Sequence, residues 1–253
     1  MSLEGRVAFV SGASRPRGNG RAIALTLAGK GADVAISGWG HFDSAMSLAE
    51  EIRAMGRKSI AVKMDVSDYG DVQKGLAEIK EQLGVVNILV NNAALMGHNV
   101  PIHKTTPQEW DREVKICLNS AFYCVKEVWA DMCTNKWGRV VNITSVAGVM
   151  GGYGQTSYGA AKAGLISLAK SVAIEGARFG ITANAVLIGI ANTDAYIDLP
   201  EPVRQRVENR TLFGRPADPQ DIANSVAYLV SDEAQYMSGA VINMLGGLDL
   251  FLF

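Results

Sequence analysis

The sequence predicts an α/β fold: a single domain over residues 1–253, built on a doubly wound, seven-stranded parallel sheet. Two observations carry that expectation. Apolar runs rich in β-branched residues alternate with longer segments of helical apolar period almost from end to end. A helical segment stands between successive runs, as the crossovers between parallel strands require. No Pro/Ser-rich linker, charge block or internal repeat marks a second domain.

Each element follows in order. The run at 7–11, Val7-Ala8-Phe9-Val10-Ser11, passes through a glycine-rich turn into a helix at 21–29, where Gly29 suits a helix end. A second run at 33–37 precedes a helix at 43–55, with Leu48 and Ile52 one turn apart. The run at 59–64 is followed by a helix at 71–83, with Val72, Leu76, Ile79 and Leu83 on one face. After the run at 88–91, Pro107 suits the first position of one long helix, 107–134. The run at 139–143 leads to a helix at 158–179. The run at 182–186 leads to a long insertion at 190–216, whose Leu, Val and Arg residues suit a substrate lid. Pro219 opens the last helix, 219–231, and 241–244 completes the sheet.

Composition narrows the function. At 48% hydrophobic and 19% charged, the 253-residue chain can bury a sizeable core. Its 24 Lys+Arg and 25 Asp+Glu leave a net charge of −1, so no sequence-wide field draws nucleic acid or anionic lipid. Residues 1–6 show no apolar leader core and no run reaches the ~18 apolar residues of a membrane span, so a cytoplasmic protein without a membrane partner is expected. Cys117, Cys124 and Cys133 fall on one expected helix, where seven residues rise ~10 Å, too far for a disulfide. His41, His98 and His103 lack metal-ligand spacing, and no metal site is expected. The 27 glycines follow neither a collagen period nor a low-complexity tract, so they serve at particular sites.

Ligands of such sheets bind beyond the carboxyl ends of the strands, where strand order reverses. The first strand runs there into Ser11-Gly12-Ala13-Ser14-Arg15-Pro16-Arg17-Gly18-Asn19-Gly20-Arg21. Glycines let backbone approach a phosphate, and the helix N-terminus behind them offers unpaired N–H groups. This position favours a dinucleotide loop over a plain strand-to-helix turn, although the spacing is not the G-x-G-x-x-G fingerprint. Tyr158 and Lys162, at i and i+4, lie on one helix face, where an ammonium can favour the phenolate. Ser145 stands thirteen residues earlier, just after a strand.

Together these residues resemble the short-chain dehydrogenase/reductase family, whose turn is Gly-x-x-x-Gly-x-Gly and whose catalytic set is Ser and Tyr-x-x-x-Lys. The resemblance covers nearly the whole chain and implies a Rossmann-like fold and an NAD(P)-dependent oxidoreductase. It includes Asp65-Val66 after the third strand, the adenine-contacting pair; Asn91-Asn92-Ala93-Ala94 after the fourth; and Gly214-Arg215-Pro216 and Gly246-Gly247. It implies catalysis by Ser145, Tyr158 and Lys162: Tyr158 as acid/base, Ser145 bonded to the same oxygen, and Lys162 also on the nicotinamide ribose. It implies cofactor contacts from Gly12, Ser14, Arg15, Arg17, Gly18, Asn19, Gly20, Asp65, Val66, Asn92, Tyr158, Lys162, Ala191 and Thr193. Arg15 and Arg17 are either solvated loop charges or partners of a ribose 2′-phosphate. The family's NAD-preferring members carry Asp at the end of the second strand. Ser37-Gly38-Trp39-Gly40 has none, which favours NADP over NAD.

Three departures from the family pattern stand out. The glycine loop is two residues longer. Anchoring on Trp110 and Phe122 puts Cys117 where the family's proton-relay Asn stands, and Asn119, ~200° away about a helix, does not replace it. The family's Pro-Gly turn reads Ile188-Gly189, expected to be looser while keeping Ala191 and Thr193 beside the carboxamide.

The expected reaction is hydride transfer between the nicotinamide and a secondary alcohol or ketone. Residues 94–98, 146–153 and 190–213, with Met96, Val149, Met150, Tyr153, Ile190 and Tyr196, suggest an apolar cyclic, aromatic or acyl substrate. The alternatives are a 3-oxoacyl-carrier-protein reductase and a non-catalytic nucleotide-sensing or scaffold protein. His98 and His103 read as exposed loop residues ahead of mouth residues. A homotetramer is implied by the resemblance; Phe122, Val125, Val128 and Trp129 suit a core or an interface, and the apolar end 248–253 suits burial against a partner.

Overall fold

The structure, a computed structural model, describes residues 1–95 and 99–250. Among these, seven strands form one sheet: β1 Val7–Val10, β2 Asp33–Gly38, β3 Ser59–Lys63, β4 Ile88–Asn91, β5 Gly138–Ser145, β6 Ile181–Ile188 and β7 Val241–Met244. All neighbours pair in parallel, in the order β3-β2-β1-β4-β5-β6-β7. The order reverses between β1 and β4, so the carboxyl ends of these two strands border the ligand crevice of this architecture.

Side-chain alternation assigns each strand residue to one of two cores. On one face Ala8, Val10, Val34, Ile36, Ile88, Val90, Val141 and Ile143 pack with Ile23, Leu27, Leu48, Ile52, Ile222 and Val226. These last residues come from α1 (Asn19–Gly29), α2 (Phe42–Ala54) and α10 (Pro219–Leu229). On the other face Val7, Phe9, Ala35, Leu89, Val140 and Ala183 meet Val72, Leu76, Ile79, Val125, Val128 and Val172. Those belong to α3 (Tyr69–Leu83), α5 (Ser120–Asn135) and α7 (Thr156–Gly176).

The structure departs from the expected elements in four places. The long helix 107–134 is α4 (Pro107–Val114), a π-helical stretch Lys115–Asn119, and α5. A one-turn helix, α6 (Ala147–Met150), follows β5. The 190–216 insertion contains α8 (Asp194–Ile197) and α9 (Glu201–Glu208), and is closed at its base by Ala217 N–H to the Ile190 carbonyl and Asn192 N–H to the Ala217 carbonyl, each 2.9 Å. The turn without the family's proline is not loose: β6 continues to Ile188, and Gly189 N–H donates to the Met244 carbonyl at 3.2 Å.

The apolar stripe on α5 divides. Val125 and Val128 are core, Trp129 packs against that core, and Phe122 is half-exposed. Cys117, Cys124 and Cys133 are free thiols. Among the described residues no helix is long and apolar enough to cross a membrane, and no His/Cys/Asp/Glu group could hold a metal. Met96, His98 and the last three residues of the chain lie outside the described residues.

Candidate active site

The glycine loop leaves β1 at the crevice. Gly12 sits at φ +65°, and a Cβ there would lie 2.7 Å from Ala93 Cα, so the chain passes this point only as glycine. The Asn92 side chain clamps the loop, its Nδ2 donating to the carbonyls of Ser11 (2.9 Å) and Gly12 (3.0 Å). The Ser11 hydroxyl accepts from the N–H groups of Asn92 and Ala93, both at 3.1 Å. Asn92, expected as a cofactor contact, also braces the glycine turn against the end of β4.

Behind the loop, α1 starts after Gly18 with no side-chain cap and no acidic residue in its first turn. Helices α3, α4 and α10 differ, being capped by Asp68, Thr106 and Asp218. The buried Asn19 Oδ1 has no hydrogen-bond partner among the described residues. An uncapped N-terminus and an unpaired polar atom behind a glycine turn fit a dinucleotide pyrophosphate. Arg15 and Arg17 are exposed, and Ser14 packs where a Cβ on Gly38 would come within 2.8 Å of it. The loop therefore abuts the end of β2. The loop also reaches the insertion, where the Arg17 N–H donates to Asp194 Oδ2 at 3.3 Å. Asp65 Oδ1 accepts from the N–H and hydroxyl of Ser67, at 2.9 and 2.7 Å, which fixes the turn after β3 that carries the buried Val66.

Ser145 ends β5, and α7 carries Tyr158 and Lys162 on its first turns. Side chains of β5 hold the helix in place: Asn142 Nδ2 donates to the Leu165 carbonyl (3.0 Å), and the Thr144 hydroxyl to the Lys162 carbonyl (2.7 Å). Asn91 Nδ2 donates to Asn142 Oδ1 at 2.8 Å, extending the brace to β4. The Ser145 hydroxyl, which accepts from Ala147 N–H at 3.3 Å, lies close enough to Tyr158 to act on its phenol. Lys162, buried, donates from Nζ to the Ile143 carbonyl at 2.8 Å, and its ammonium lies 5.6 Å from the centre of the Tyr158 ring.

The resulting electrostatics differ from the expected cation-depressed phenol. Burial pushes Tyr158 up to about 12, while Ser145 pulls it down and negative charge, of Cys117 once its thiol ionises and of Glu113, pushes it further up. Burial lowers Lys162, with a charge at Cys117 acting the other way. Desolvation of the phenolate outweighs the pull of Ser145 because the half-buried phenol stands beside a buried ammonium that is held by a backbone carbonyl. Cys117 sits in the π-helical stretch, buried, with its sulfur accepting from Leu95 N–H at 3.4 Å. Burial raises its thiol, so it keeps its proton at neutral pH.

Ala191 and Thr193 lie in a tight turn, Thr193 N–H donating to the Ala191 carbonyl at 2.8 Å. Ala191 bridges Ala217 at the base of the insertion. Val149, Met150 and Tyr153 are exposed, Ile190 is half-buried and Tyr196 is buried, its hydroxyl bonded to Glu208 of α9. His103 is exposed on a short helical turn, Ile102–Lys104. Glu113 was not anticipated: it is the buried residue of α4, bonded by the Ser157 hydroxyl.

A family model described as Enoyl-(Acyl carrier protein) reductase matches residues 12–249. The chain is 39% identical over 241 residues to the 3-oxoacyl-[acyl-carrier-protein] reductase FabG of Staphylococcus epidermidis, covering 95% of this chain and 98% of that protein. The chain belongs to the short-chain dehydrogenase/reductase family. As a member it is an oxidoreductase with a nicotinamide cofactor. A second relative in the family is the FabG of Escherichia coli K12, 38% identical over 248 residues, covering 98% of this chain and 99% of that one. Two solved structures superpose with a TM-score of 0.92. One is a provisionally assigned gluconate dehydrogenase of Agrobacterium tumefaciens, 33% identical, with 99% of this chain and 98% of that one covered. The other is a provisionally assigned short-chain alcohol dehydrogenase of Sinorhizobium meliloti 1021, 31% identical, with 99% of each covered.

Proposed function

We propose that this short-chain dehydrogenase/reductase moves a hydride between NADP and a secondary alcohol/ketone pair. The observation that carries the reading is the cluster of half-buried Ser145 and Tyr158 with buried Lys162 at the end of β5, at the same carboxyl end of the sheet as the glycine turn. The bound nicotinamide supplies or accepts the hydride. Tyr158, kept protonated through neutral pH by burial, gives its proton to the carbonyl oxygen as negative charge develops there. Ser145 donates to that same oxygen and stabilises it. Lys162, with one N–H on Ile143, has two further donors for the nicotinamide ribose hydroxyls. The uncapped N-terminus of α1 and the turn around Gly12, Gly18 and Gly20 would hold the pyrophosphate. Asp65 and Val66 would border the adenine, and Ala191 and Thr193 the carboxamide.

NADP is favoured because Ser37, Gly38, Trp39 and Gly40 offer no carboxylate at the end of β2, while Arg15 and Arg17 are exposed beside it. Residues 190–216 are proposed as the substrate lid, tied to the glycine turn through Asp194. Exposed Val149, Met150 and Tyr153 support an apolar cyclic, aromatic or acyl substrate. A second reading, reduction of a 3-oxoacyl thioester on a carrier protein, is favoured by the curated relatives, which carry that activity in their names over nearly the full chain. Enoyl reduction is not proposed, since the family's enoyl reductases place more residues between Tyr and Lys than separate Tyr158 from Lys162. A homotetramer is proposed from the resemblance, supported by the exposed Phe122 on α5.

Initial rates with NADH and NADPH across apolar ketones and acetoacetyl thioesters test these readings. Faster turnover with NADPH on ketones supports the first. Thioester turnover far above that of every ketone selects the second.

A further inference from the structure

Glu113 is chemically out of place. In α4 it is the residue recorded as buried, 4% exposed, on a helix whose other positions face outward or are half-covered. A buried carboxylate needs a partner, and Glu113 finds it in the hydroxyl of Ser157, itself 5% exposed. Ser157 immediately precedes Tyr158. One turn beyond Glu113 on the same side of the helix stands Cys117, where the family's relay Asn is replaced. The groups facing Glu113 are therefore Ser157 and Tyr158 from α7 and Cys117 from its own helical stretch, with Lys162 beyond Tyr158; its charge acts on both the phenol and the thiol.

Resting on the reading of Tyr158 as the acid/base group, we propose that Glu113 is a positioning residue of the reaction: through Ser157 it fixes the first turn of α7 and with it the placement of the Tyr158 phenol. The hydrogen bond links a side chain of α4 to one of α7, and it attaches next to the reacting tyrosine. A negative charge beside a phenol stabilises the protonated form, which is the form needed to donate a proton during carbonyl reduction.

The test compares pH profiles of reductive kcat/KM for the parent, Glu113→Gln, Glu113→Leu and Ser157→Ala, with Tyr158→Phe in parallel. Glu113→Gln keeps an acceptor but removes the charge, so the alkaline fall-off should move to lower pH by roughly half to one unit. Ser157→Ala and Glu113→Leu should lose about tenfold or more in kcat with nucleotide affinity retained. Should Glu113→Leu fail to fold, Glu113→Gln and Ser157→Ala still decide. An unmoved fall-off in Glu113→Gln, with Ser157→Ala lowering only thermal stability, overturns the proposal while leaving the Tyr158 mechanism intact. Undiminished turnover by Tyr158→Phe overturns both.

Discussion

Replacing Gly20 by alanine tests the construction of the nucleotide turn. A methyl group there would lie 2.5 Å from Asn92 Nδ2, 2.9 Å from Ala13 Cα and 3.1 Å from the Gly12 carbonyl oxygen. Two of these neighbours are backbone and the third is an amide already committed to two carbonyls. Helix propensity alone favours alanine at this position in α1 by about 1 kcal/mol. Against it, overpacking costs about 1–3 kcal/mol, and displacing Asn92 forfeits a pair of hydrogen bonds together worth about 1–3 kcal/mol. The net expectation is destabilisation by about 1–5 kcal/mol, with weaker dinucleotide binding because the turn must shift. Urea unfolding midpoints and NADPH titration by fluorescence read both effects. Gly40→Ala is the control, since a methyl group there meets nothing within 4 Å. The reasoning is refuted if Gly20→Ala is as stable as the parent and binds NADPH as tightly.

Other substitutions probe the remaining departures. Cys117→Asn should retain activity, because the thiol is a buried, protonated residue whose recorded hydrogen bond is from Leu95 N–H; a large loss of kcat would show a role of its own for the sulfur. Arg15→Ala should weaken NADPH binding about tenfold while leaving NADH within about twofold, as expected for a lost charge-assisted hydrogen bond to phosphate. Equal effects on both nucleotides in isothermal titration would make Arg15 a solvated loop charge.

The fold was legible because its signal is repeated. Seven apolar runs and the crossovers between them read the same way whichever boundary is moved by a residue or two, and differences such as β5 continuing to Ser145 alter no pairing. The glycine turn and the juxtaposition of Ser145, Tyr158 and Lys162 were legible because their residues lie close in sequence or on one helix face. Tertiary consequences were not. The π-helical stretch at Lys115–Asn119 carries neither proline nor glycine to announce it, so the segment 107–134 reads as continuous. Glu113, within Trp110-Asp111-Arg112-Glu113-Val114-Lys115, looks like one more charge on a solvated face; only the approach of α7 buries it. The helices in 190–216 are short and polar, and depend on ties such as Tyr196 to Glu208 that no local pattern announces. For Tyr158 the sequence places a cation nearby but is silent on desolvation, which decides the balance.

The central claim is that Tyr158 handles the proton of a hydride transfer. Tyr158→Phe, assayed by single-turnover oxidation of bound NADPH with an accepted ketone alongside nucleotide titration, tests it most directly. The variant should lose hydride transfer by several orders of magnitude, the ~10²–10⁴ of general acid catalysis at least, with NADPH affinity close to the parent's. Hydride transfer at the parent's rate would contradict it.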